Sequence, residues 1–107
     1  MAGISLLSKA EALSALEAYK ADLDNSIFWF KQQLDDMENV DEIAEMNPKQ
    51  KIVGGATAQE FQTSPYAFAV KALFERPYYI IKAQREWLEK FIQSIKDDEG
   101  KFKFREV

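Results

Sequence analysis

Leu13, Leu16, Lys20, Leu23, Ile27, Phe30, Leu34 and Met37 recur at alternating spacings of three and four. That rhythm puts all eight on one stripe of an α-helix and is foreign to a half-buried strand, whose period is two. Ser8 opens the segment with a capping box, its hydroxyl placed to accept from the Glu11 N–H while the Glu11 carboxylate reaches back to the Ser8 N–H. Ala10, Ala12, Ala15, Ala18 and Ala21 add helix propensity to the first half. The spacing therefore predicts one helix over 8–38, roughly 45 Å long at about 1.5 Å per residue, with Lys20 as the only polar member of its seam. Asp24, Asn25 and Ser26 compete with the helix through side-chain hydrogen bonds, so a kink or break at 24–26 is the alternative.

Beyond the seam, residues 35–46 hold six acids, Asp35, Asp36, Glu38, Asp41, Glu42 and Glu45, and no base, yet Met37, Val40, Ile43 or Ala44, and Met46 keep a helical stripe. Carboxylates favour a helix N-terminus over a C-terminus, so Asn39 is expected to cap a short second helix with Asp41 and Glu42 in its first turn. Asn47-Pro48 ends it. Residues 47–56 read as a linker in which Ile52-Val53 covers the core in extended form and Gly54-Gly55 turns the chain.

A second capping box, Thr57 with Glu60, starts another helix near residue 58, and Ser64-Pro65 is an N-cap and first-turn pairing. The segment 57–75 thus reads as two pieces or one kinked helix. Its expected apolar face is Phe61, Phe68, Ala69, Ala72 and Leu73, with Tyr66, Val70 and Phe74 on adjoining faces. Pro77 implies a boundary or kink after Arg76. A final helix over 78–97 carries Ile80, Ile81, Gln84, Trp87, Leu88, Phe91, Ile92 and Ile95, ending before Gly100. Residues 101–107 alternate basic and aromatic side chains, the period of an extended arm. The expected architecture is all-α: a small antiparallel helical bundle with a long N-terminal helix, middle helices kinked or broken at Pro65 and Pro77, a long C-terminal helix and a short extended tail. One domain, 1–107, suffices, made of an acidic helical half (8–46), the linker, a helical half (57–97) and the tail.

Composition narrows the chemistry. With 47% apolar and 30% charged residues the chain is suited to a packed core. It has no cysteine and no histidine, which removes thiolate nucleophiles, disulfides, ordinary zinc sites and the commonest general base. The net charge of -4 is uneven: residues 1–48 hold three lysines against ten acids, and residues 49–107 hold eleven bases against eight acids. An acidic chain is a poor candidate for non-specific nucleic-acid binding. Neither a signal-peptide pattern nor an apolar run long enough for a membrane span is present, so a cytoplasmic location is expected.

Three groups of residues bear on function. Ile27-Phe28-Trp29-Phe30 spans more than half the helix circumference, so one of the four, Phe28 or Trp29 foremost, is expected to face away from a one-sided core and against another chain. A seam longer than its cover points the same way, to a homo-oligomer. The acids at 35, 36, 38, 41, 42 and 45 form a surface suited to a protein partner with a basic face. Arg76, Tyr78 and Tyr79, with Lys82 and Arg85, make the alternative site: a helix start at Pro77 would present free N–H groups to a nucleotide or other phosphorylated ligand, with a tyrosine as stacking face. The pairs Glu42/Glu45 and Glu86/Glu89 have the spacing by which helical pyrophosphatases hold Mg2+, but the two pairs are about forty residues apart and the second ends in Glu, so this reading ranks last. The expectation is a non-enzymatic interaction protein of adaptor or inhibitor type, with no cofactor and no metal.

Overall fold

The computed structural model describes residues 7–97. In order along the chain they form α1 (Lys9–Glu38), α2 (Val40–Met46), β1 (Lys51–Val53), β2 (Ala56–Thr57), α3 (Ala58–Thr63) and α4 (Ala67–Lys96). The all-α class stands, since the only sheet among the described residues is one two-stranded hairpin. The expected tail, 101–107, and Gly100 lie outside the described residues. α1 runs unbroken through Asp24-Asn25-Ser26. The chain divides into two compact units, Met1–Asn25 with Lys82–Val107, and Ser26–Ile81, so each unit takes one end of each long helix.

In the first unit the N-terminal part of α1 runs antiparallel to the C-terminal part of α4. The Lys9 Nζ donates to the Lys96 carbonyl at 3.4 Å, Lys96 pairs with Glu17 at 3.6 Å, and Arg85 pairs with Asp24 at 2.7 Å. The Ser8 capping box forms as the sequence implies, both bonds at 3.1 Å. Ala12, Leu23, Leu88, Ile92 and Ile95 are buried. Leu23 lies on the α1 seam, Ala12 beside it, and Leu88, Ile92 and Ile95 on the apolar stripe of α4, and burial of these faces is why the two segments associate.

The second unit has a core of Leu34 and Met37 from α1, Ile52 and Val53 from β1, and Ala58 and Phe61 from α3. Val40, Ile43 and Ala44 of α2 and Ala67, Val70, Phe74 and Tyr78 of α4 pack against it. The linker folds as the residues suggest. Ile52-Val53 is extended and buried, and β1 pairs antiparallel with β2, Lys51 opposite Thr57 and Val53 opposite Ala56. Gly54 and Gly55 carry φ of 56° and 82°, the left-handed region that side chains with a Cβ avoid, and so allow the tight reversal. The Thr57 capping box is complete, Glu60 N–H to Thr57 Oγ1 at 3.1 Å and Thr57 N–H to Glu60 Oε1 at 3.0 Å. α3 ends at Thr63, and the Ser64 hydroxyl accepts from the Tyr66 N–H at 3.1 Å before α4 begins.

Two expectations need correction. No helix starts at Tyr78: Pro77 lies inside α4. A proline removes one N–H, here the donor to the Leu73 carbonyl, but Val70, Phe74, Tyr78 and Ile81 keep their three-four phase across it, and burial of that stripe holds both sides of the proline in one helix. The face of α4 is also different. Phe68, Ala72 and Leu73 are exposed, while Ala67, Val70 and Phe74 turn to the core. Farther along, Leu88, Ile92 and Ile95 of the expected stripe are buried, whereas Ile80, Gln84 and Trp87 are exposed.

Candidate functional site

Phe28 and Trp29 sit on α1 in the second unit, between the seam residues Ile27 and Phe30. Ile27 and Phe30 turn inward and are half-buried; Phe28 remains 63% exposed and Trp29 51%. Trp29 leans on Phe74 of α4 with ring centroids 6.0 Å apart and planes inclined by 29°, and meets Phe30 edge-on at 4.9 Å. One side of the indole is thus fixed by aromatic contacts while half of its surface stays open, the arrangement of a rigid contact residue.

The acidic stretch belongs to the same unit. α2 rests its Val40, Ile43 and Ala44 against the core, which turns Asp41, Glu42 and Glu45 outward. Some of the acids are engaged locally: Asp35 pairs with Lys31 at 3.4 Å, Glu38 with Lys71 at 3.1 Å, and Asp41 accepts from the Gln62 Nε2 at 2.8 Å. Asp36, Glu42 and Glu45 have no ion-pair partner among the described residues. Asn39 stands at the N-cap of α2 without a side-chain capping bond, so the first-turn Asp41 and Glu42 are what complement the helix dipole there. Met46, on the last turn of α2, is almost fully exposed.

The alternative anion site loses its basis. With Pro77 inside α4 there is no helix N-terminus at Arg76-Pro77, hence no set of free N–H groups for a phosphate. Tyr78 packs against the second unit's core, and its ring lies 5.4 Å from that of Tyr79. Arg76, Tyr78 and Tyr79 belong to the second unit and Lys82 and Arg85 to the first. Arg85 is committed to a fork, its Nε to Asp24 and its Nη1 to Glu89, each at 2.7 Å. The hydrogen bond and charge of Asp24, with a smaller contribution from Glu89, raise its pKa further above the ordinary arginine value.

Among the described residues no group of three or more acids is placed to hold a metal ion. Glu42 and Glu45 lie in the second unit, Glu86 and Glu89 in the first, and Glu89 is taken by Arg85. The second unit also carries a half-open, mainly apolar cleft of about 430 Å3 lined by Val53, Phe61, Val70 and Phe74, with Glu60 as its one ionised group. Glu60 is held below the usual carboxylate range, first by the backbone hydrogen bond from Thr57 and then by its hydroxyl.

Phe68, at 78% exposure, and Leu73, at 72%, are two of the surface residues whose spacing suggests a place in the core. The signal that locates them outward is the run Phe74, Tyr78, Ile81, Arg85, Leu88, Ile92, Ile95, spaced by threes and fours straight across Pro77. No helix among the described residues is long and apolar enough to cross a membrane. Compared with protein-family models, with curated proteins and with solved structures, the chain matches none.

Proposed function

We propose that this chain works by contact, as a protein-binding module of adaptor or inhibitor type that self-associates and meets a partner with a basic surface, and that it catalyses no reaction. The observation that carries the reading is the pair Phe28 and Trp29, two large aromatics left half or more exposed on a helix whose other side is already covered. Exposed aromatics anchored on a rigid element are the usual centre of a protein contact. The acids Asp36, Glu42 and Glu45, without an ion-pair partner among the described residues, supply a charged surface that steers a basic partner and adds little stability to the fold.

An immobilised lysine-rich peptide tests the electrostatic half. The wild-type chain is expected to be retained at low salt and released as salt rises, and the Asp36→Asn, Glu42→Gln, Glu45→Gln triple variant to elute earlier with its helix content intact. Equal retention of the two proteins contradicts the assignment of those acids. The aromatic half is tested by Trp29→Ala with Phe28→Ser, which should lower the average mass of the self-associated species at a fixed concentration while the circular dichroism stays helical.

A further inference from the structure

Between Ala67 and Ile81, α4 is apolar on two sides. Ala67, Val70, Phe74 and Tyr78 face the core of the second unit. At about 100° per residue, Phe68, Ala72, Arg76, Ile80 and Leu73 follow one another over an arc of roughly 140° on the opposite side. Phe68, Leu73 and Ile80 are all exposed, and with full side-chain areas of order 200 Å2 they leave roughly 400 Å2 of apolar surface in one strip. That is about half of what one partner buries in a standard interface, of which the centre is apolar and the rim polar. A helix apolar on two opposite sides needs cover on both.

The charges on and beside this strip say what covers it. Arg76 is the only ionised side chain on the arc and has no ion-pair partner among the described residues; neither has its neighbour Glu75. We propose that the strip packs antiparallel against the same strip of a second copy of this chain, across a two-fold axis near residue 74. Under that symmetry Phe68 meets the partner's Ile80, the small Ala72 lies opposite the partner's Arg76, and each Arg76 reaches the partner's Glu75, so that one adjacent acid-base pair is satisfied twice. A partner presenting a basic helix would set a like charge against Arg76. The proposal rests on the self-association reading above and adds the α4 strip to Phe28 and Trp29 among the surfaces that carry it.

Light scattering on the full chain eluting from a sizing column, with helix content followed by circular dichroism, tests it. Wild type is expected as a dimer. Leu73→Glu should be a monomer of unchanged helicity, because the position is exposed in the isolated chain. Arg76→Glu should weaken the dimer by about tenfold or more, and the charge swap Glu75→Arg with Arg76→Glu should restore it, a recovery that a merely structural role would not produce. A wild type that is monomeric throughout overturns the self-association reading and this proposal together. A dimer that survives Leu73→Glu but is lost on replacing Phe28 and Trp29 overturns this proposal alone.

Discussion

Thr57 and Glu60 show how far single residues determine this structure. The four-residue signature is visible in the chain, and both of its hydrogen bonds form. Thr57→Ala should therefore cost about 1 kcal/mol in urea unfolding. The pH dependence follows from the sign of the Glu60 shift. Its pKa is lower in the folded chain than in the unfolded one, so its contribution is complete above the unfolded carboxylate value and is lost as pH falls through the folded value. The gap between wild type and Thr57→Ala should hold at neutral pH and narrow in acid; a constant gap down to the acid transition would contradict it. Gly54 is the other residue whose role is local. An added Cβ would meet no atom within 4 Å, so a cost of about 1 kcal/mol for Gly54→Ala would come from its φ of 56° alone. Arg76 and Arg85 mark the limit of residue-level reading: their types suggest an anion site, but the site needs a helix start, and whether Pro77 makes one is decided by the helix around it.

At the scale of elements, phase proves more informative than punctuation. α1 is legible from its sequence because its seam keeps step through Asp24-Asn25-Ser26, and the structure shows one helix there. The same test applied to α4 connects Phe74 to Ile95 across Pro77 and selects the covered face; letting the proline end the helix selects Phe68 and Leu73 instead. Local propensity loses in both helices to burial of a continuous stripe. The proline nevertheless leaves the Leu73 carbonyl without its helical donor. Pro77→Ala should raise the unfolding free energy, by up to about 3 kcal/mol, and a destabilised variant would show that the proline geometry is required by the packing on either side. In the second unit, Leu34→Ala should cost about 2–5 kcal/mol, since Leu34 is buried in the cluster formed with β1 and α3. The hairpin was legible as an extended, core-covering linker, though not as a paired sheet, because strand pairing depends on the Gly54-Gly55 turn holding the register.

For the whole molecule, the lack of histidine and cysteine removes the commonest catalytic groups, and the surviving carboxylates form no cluster of three fit for a metal among the described residues. What remains in excess is exposed apolar side chain, with Phe28, Trp29, Met46, Phe68, Leu73 and Ile80 among those of the second unit. The aromatic pair was legible because four large residues in a row overfill one helix face, whereas the α4 strip was not, for the reason of phase just given. A panel of nucleotides with Mg2+ should leave the thermal midpoint unchanged, where a bound ligand at about 100 times its dissociation constant would add about 2.7 kcal/mol. Association accounts for the exposed surface without asking any residue for chemistry. The most direct measurement is sedimentation equilibrium of the full chain from micromolar to millimolar concentration. The expected mass is a multiple of the 12.3 kDa chain, falling toward one chain only on dilution. A mass that stays at 12.3 kDa over the whole range would contradict it.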